Sequence, residues 1–165
     1  FDTNQYLYRL SNFVFNFLIV LVFYISVRTF KKFNLDDAIL LTSILMLSPY
    51  FRTSSYWAHQ ENLPFLFLFL SVLFFNIAKL DIVEKKNYFF KVFILAALCS
   101  LSFYSDQKFI FVSLSFFLIL INVRKNIFHQ LRIFLLFFIT SIPALYLFYI
   151  WKGILPVESQ FRLGF

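Results

Sequence analysis

Apolar residues occur in six long runs, separated by short segments that hold most of the polar and charged side chains. The runs cover residues 10–27, 38–50, 63–78, 89–104, 109–123 and 133–151. A straight helix needs about 20 apolar residues to cross the ~30 Å hydrocarbon core of a bilayer, and about 17 is the lower limit. The second run is short, but flanking Tyr, Trp and Lys side chains can anchor such a helix at the interface. The pattern therefore predicts about six membrane helices.

A membrane β-barrel is the alternative architecture, and its strands alternate polar and apolar residues. Residues 65–75 are almost continuously apolar and do not alternate. The expected fold class is therefore all-α, a polytopic transmembrane bundle forming one domain over residues 1–165. Because the chain starts without Met and without a signal peptide pattern, we interpret it as a fragment of a longer membrane domain.

Composition supports an integral, multi-pass membrane protein with the lipid bilayer as its first partner. Hydrophobic residues make up 61% of the chain and charged residues 14%. A water-soluble domain of this size has a far more polar surface. The net charge of +7 would suggest nucleic acid in a soluble protein. Here the basic residues lie between apolar runs, as in cytoplasmic loops, so we expect no nucleic-acid partner.

The distribution of Lys and Arg predicts an orientation. Loops on one side hold ten basic residues, and those on the other side hold five, namely Arg9, Arg52, Lys108, Lys152 and Arg162. The positive-inside rule puts the side with ten in the cytoplasm. Both ends of the chain, the loop 50–62 and the turn 104–108 are then expected on the outer face.

The loop 50–62 contains a dense group of polar and aromatic side chains. Arg52 offers a planar fork that suits a phosphate or carboxylate. His59 and Glu61 are candidates for proton transfer or for metal binding. Tyr56 and Trp57 can stack on a sugar ring, or they can belong to the aromatic belt that is routine at membrane surfaces. The residues alone leave both interpretations open.

Two more outer segments carry candidate side chains. In the turn, Lys108 can neutralise a lipid-linked phosphate as a point charge. Asp106 and Lys108 can equally do no more than mark the interface. After the last run, a Gly and a Pro end the helix, and Glu158 and Arg162 follow along the outer surface.

Polar residues inside the runs are interpreted as packing groups. Arg9, Asn12 and Asn16 share one helical face. Because an Asn in lipid needs a partner, this face is expected to pack against another helix. Ser100 and Ser102 are given the same role. The single Cys99 excludes an internal disulfide and is expected to be a small buried apolar side chain.

Three stretches resemble, in order and spacing, segments of the GT-C membrane glycosyltransferases. Tyr-Arg-Leu-Ser-Asn at 8–12 is similar to the start of the span after their first outer loop. Residues 47–64, with Ser-Pro-Tyr-Phe and then Glu-Asn-Leu-Pro, resemble their next outer segment. Trp-Lys-Gly-Ile-Leu-Pro at 151–156 resembles the aromatic-x-Gly-x-x-Pro exit of some bacterial members.

The resemblance implies an inverting transferase, expected in the bacterial inner membrane. It would move a sugar from a polyprenyl-phosphate donor to a glycan, lipid or protein acceptor on the outer face. The family's usual catalytic Asp lies in the first outer loop, ahead of the span beginning near Arg9, so the fragment alone is expected to be inactive. Glu61 and His59 are then supporting catalytic candidates, although many members have an Asp where Gln60 and Glu61 stand. The binding candidates are Arg52, Tyr56, Trp57, Gln60, Asp106, Lys108, Glu158 and Arg162. No cofactor is assigned, and a divalent cation stays open.

The alternative is a polytopic transporter or flippase, or a polymerase-like membrane protein, for lipid-linked saccharides. Transporters hold ionisable groups near the bilayer midplane and often break their helices there. In this chain the ionisable residues gather at loop edges, and there are only two Gly. The pattern favours the transferase.

Overall fold

A computed structural model describes residues 2–30, 33–49, 51–52, 62–84, 88–123 and 126–151. Within these ranges the chain is helical and contains no strand, so the all-α prediction is confirmed. We number the helices α1 (Asp2–Thr29), α2 (Leu35–Leu47), α3 (Asn62–Glu84), α4 (Tyr88–Ser105), α5 (Ile110–Val123) and α6 (Ile127–Trp151). A 3-10 turn at Gln107–Phe109 leads into α5. Each predicted apolar run overlaps one of these helices.

Local chemistry explains where α2 begins and ends. The Asn34 backbone N–H donates to the Asp37 carboxylate at 3.1 Å, as in one half of a capping box. Asp36 and Asp37 also place negative charge near the positive end of the helix dipole. The helix stops before Ser48, because the following Pro49 disfavours helical geometry at the residue ahead of it.

Side-chain contacts fix the directions in which the helices pack. On α1 and α3, Asn12 contacts Asn62, and Ser26 contacts Asn76 fourteen residues later, so these two helices are parallel. The end of α4 contacts the start of α3, where the Ser102 hydroxyl donates to the Pro64 carbonyl at 2.9 Å. Asn12 of α1, the start of α3, the 3-10 turn and the end of α4 therefore lie at one end of the bundle. We call it the Asn62 end.

The main core surrounds α4 and is formed by the helices α3 to α6. Val92, Leu95, Ala96 and Cys99 are completely buried, and they pack against apolar side chains of α3, α5 and α6. The spacing of these four positions is that of one helical face. Cys99 is a free, buried thiol, as expected from its position in an apolar run.

Three segments within the described residues are long and apolar enough to cross a membrane: Arg9–Thr29, Asn62–Lys79 and Tyr88–Ser105. Two shorter apolar helices cover Gln107–Val123 and Ile127–Pro143. The outward side of α1 exposes large apolar side chains, such as Phe13 at 67%, which suits contact with lipid. With 13 residues, α2 extends only about 20 Å, less than a bilayer core. Six spans, and the orientation of the chain ends, stay predictions.

Candidate functional site

A buried cluster of amide side chains joins α1 to the start of α3. Asn12, Asn16 and Asn62 are 6%, 5% and 2% exposed. The Asn62 Nδ2 donates to Asn12 Oδ1 at 2.7 Å, and Asn16 Nδ2 donates to the Asn12 backbone carbonyl at 2.8 Å. The expectation that this polar face packs against another helix is confirmed at Asn12 and Asn16, which are buried, whereas Arg9 is exposed. Its consequence is that α3 begins at a fixed point, immediately after Glu61.

A second set of polar contacts holds the end of α4 at the same place. Besides the bond from Ser102 to Pro64, the Ser100 hydroxyl donates to Thr140 Oγ1 at 2.9 Å. Tyr104 donates its hydroxyl to the Thr140 backbone carbonyl. Ser100 and Ser102 are thus packing groups, as predicted, and they tie α4 to both α3 and α6.

The turn after α4 is organised by Asp106. Its Oδ1 accepts from the Lys108 backbone N–H at 3.0 Å, and its own backbone carbonyl accepts from Phe109 at 3.0 Å. The carboxylate therefore caps the 3-10 turn, which satisfies a donor that the turn leaves open. This gives Asp106 a structural role as a cap, which the sequence interpretation did not include, and a binding role for Asp106 stays a prediction.

Lys108 extends from this turn at the Asn62 end. Its side chain is 74% exposed, whereas that of Asp106 is 19% exposed, and Lys108 Nζ lies 3.9 Å from Asp106 Oδ2. An ion pair of such length and exposure contributes little to stability. The Phe109 ring meets the Phe65 ring edge-on at 5.0 Å, which holds the turn beside the first turn of α3. Lys108 therefore lies near the start of α3, where the polar loop 50–62 ends.

Arg52 lies near the beginning of the polar loop 50–62. It is exposed, and its backbone N–H donates to the Ser48 carbonyl at 3.0 Å. The preceding Phe51 packs against the cluster formed by Ile19, Val22 and Leu66. Since Leu66 lies one turn beyond Asn62, Arg52 also belongs to the Asn62 end.

The remaining predicted site residues lie outside the described part of the chain: Tyr56, Trp57, His59, Gln60, Glu61, Glu158 and Arg162. Among the residues that the structure does describe, no group of three or more His, Cys, Asp or Glu could hold a metal ion. A divalent cation at His59 and Glu61 stays a prediction.

The sequence interpretation missed the partners on α3. Asn62 and Asn76 are fourteen residues apart, as are Asn12 and Ser26 on α1, and both pairs meet across one interface. Asn76 Nδ2 also donates to Thr29 Oγ1 at 3.2 Å. Fourteen residues are close to four helical turns, so equal spacing of polar residues in two apolar helices was the available signal.

Comparison of the chain with protein-family models, with curated proteins and with solved structures finds no match. The resemblance to GT-C transferases thus rests on the sequence motifs alone.

Proposed function

We propose that this chain is part of a membrane glycosyltransferase, which moves a sugar from a polyprenyl-phosphate donor to a glycan, lipid or protein acceptor on the outer face. The observation that carries the proposal is the grouping of Arg52, Lys108 and the start of α3 at the Asn62 end. Phosphate needs cations within reach, and each of these two cations is the chain neighbour of a packed Phe: Phe51 packs against the cluster that includes Leu66, and Phe109 packs against Phe65.

In the proposed reaction, the acceptor hydroxyl oxygen attacks the anomeric carbon of the donor sugar. The bond from that carbon to the phosphate oxygen breaks, and the configuration inverts. A carboxylate takes the hydroxyl proton, and the polyprenyl phosphate leaves as an anion. Arg52 and Lys108 would stabilise the charge that grows on the phosphate. Glu61 and His59 would support the acceptor, with the main catalytic Asp in a preceding outer loop.

The alternative is a transporter or flippase, or a polymerase-like protein, for lipid-linked saccharides. Buried polar side chains within the described ranges are all neutral: Asn12, Asn16, Ser26, Thr42, Asn62, Ser71, Ser100 and Ser102. Ion-coupled transporters carry ionisable groups inside the membrane. The neutral interior therefore favours the transferase.

The test uses the complete protein in membranes with a radiolabelled polyprenyl-phosphate sugar. We expect Glu61→Gln and Lys108→Ala each to reduce sugar transfer at least tenfold, with unchanged expression. Arg132→Ala is the matched control, since Arg132 is an exposed cation near the start of α6 and is expected to keep full activity. Normal transfer by both site variants would overturn the assignment of these residues.

A further inference from the structure

Two helices extend well beyond the Asn62 end, whereas the others stop there. On α1, the helix starts at Asp2, ten residues or about 15 Å before Asn12, which bonds to the first residue of α3. On α6, the helix ends at Trp151, eleven residues or about 16 Å after Thr140, which accepts two hydrogen bonds from the last turns of α4. The start of α3, the 3-10 turn and the end of α4 therefore form a lower surface, which we call the floor. Because α1 packs on α3 and α6 packs on α4, both projecting helices border the floor.

The length of α1 gives the depth of the floor in a membrane. Its membrane-compatible segment Arg9–Thr29 has 21 residues, which corresponds to about 30 Å, the thickness of the hydrocarbon core. Exposed Arg9 and Arg28 mark the two boundaries of this segment. Asn12 follows Arg9 by three residues, and it is level with the floor. The floor therefore lies about 5 Å inside the hydrocarbon boundary.

Aromatic residues on α6 indicate a similar depth independently. Ile142, at 47% exposure, lies two residues after Thr140 and thus near the level of the floor. Tyr146 and Tyr149 follow it on the same outward face, at 64% and 80% exposure. Tyr side chains in such positions gather at the headgroup level. They lie about 6–10 Å beyond Ile142, so on this side too the floor is below the interface.

On the other side of α1, α2 stops lower still. It follows the end of α1 at Thr29 after the five residues 30–34, so it begins at the opposite boundary. Its 13 residues extend about 20 Å, which leaves its end about 10 Å short of the boundary at Arg9. The helix is interrupted at Ser48, and Arg52 follows with an exposed side chain. Irregular backbone at this depth is tolerated where it is buried in protein or lines a water-filled cavity.

The charges at the floor require water. The Lys108 side chain is 74% exposed, and ionisable groups at membrane depth face water-filled cavities because hydrocarbon does not solvate them. A Lys side chain can extend to the interface, but the short Asp106 carboxylate stays at the depth of the turn that it caps. In sequence, six of the nine residues 53–61, which join Arg52 to the start of α3, are also polar.

We propose that the floor is the base of a water-filled depression, which reaches about 5–10 Å into the bilayer between the projecting ends of α1 and α6. Water-soluble molecules then reach Arg52 and Lys108 directly from the side of the membrane that the Asn62 end faces. Because both side chains are cations, the depression admits anionic, hydrophilic groups and excludes lipid chains. The inference concerns depth and hydration only, so it holds or fails independently of sugar transfer.

The test uses spin labels on single cysteines in the complete protein, reconstituted in proteoliposomes. Lys108→Cys and Arg52→Cys place the label at the depression. Phe13→Cys and Ile142→Cys are the matched controls, because Phe13 directly follows Asn12, is 67% exposed, and lies with Ile142 near the level of the floor on outward faces. Cys99 is fully buried and is expected to stay unlabelled.

Collision with a water-soluble nickel chelate reports water at each label. Since hydrocarbon excludes polar solutes, we expect the collision rate at positions 52 and 108 to be at least about fivefold higher than at positions 13 and 142. Equally high rates at all four positions would place the floor above the membrane and overturn the proposal. Equally low rates would overturn it as well, because the floor would then be dry. Sugar transfer is measured separately on the unlabelled protein, and its absence would leave this result unchanged.

Discussion

Asn62 and Asn12 are fifty residues apart in the chain, and the amide of Asn62 donates to the amide oxygen of Asn12 at 2.7 Å in a buried site. This bond sets where α3 begins against α1. It also sets where the polar loop that ends at Glu61 rejoins the bundle. The hydrogen bond thereby anchors the end of the polar loop to α1.

The first prediction concerns this anchor. Asn62→Ala removes the donor and leaves a buried amide oxygen of Asn12 without that bond, which we expect to cost about 0.5–2 kcal/mol of unfolding free energy. Reversible unfolding in mixed micelles measures it. Asn122→Ala, at an exposed position near the end of α5, is the control and should be neutral. An Asn62→Ala protein as stable as the control would show that the contact adds nothing.

The second prediction separates structure from chemistry at Asp106. Because its carboxylate caps the 3-10 turn, Asp106→Ala should lower stability by about 0.5–2 kcal/mol, whereas Asp106→Asn, which keeps a capping oxygen, should lose only a few tenths. Thermal unfolding measures both. Sugar transfer is also expected to survive in Asp106→Asn. If that variant were stable but inactive, Asp106 would be a functional carboxylate after all.

Features that depend on residues close together in the chain could be predicted from the sequence, whereas contacts between distant residues could not. The helices and the turn around Asp106 follow from the local sequence, and the apolar runs predicted both. The packing role of Asn12 and Asn16 also followed, because an amide in lipid needs a partner. The identity of that partner, Asn62, is a long-range fact that needs the register of α1 against α3.

The third prediction tests the orientation. Single cysteines replacing Lys108 and Arg28 lie near opposite ends of the bundle, and both positions are exposed. A membrane-impermeant maleimide added to intact cells should label Lys108→Cys and leave Arg28→Cys unlabelled until the membrane is opened. Cys99 is fully buried and should stay unlabelled, so it serves as the internal control. The reverse labelling pattern would invert the predicted topology.

The most direct test of the central claim uses the complete protein in proteoliposomes with a polyprenyl-phosphate donor labelled in its sugar. The account predicts that the label becomes covalently attached to an acceptor supplied on the side of Arg52 and Lys108, and that free polyprenyl phosphate is released in equal amount. Movement of the intact donor across the membrane, with no transfer of the label to any acceptor, would contradict the account and support a flippase.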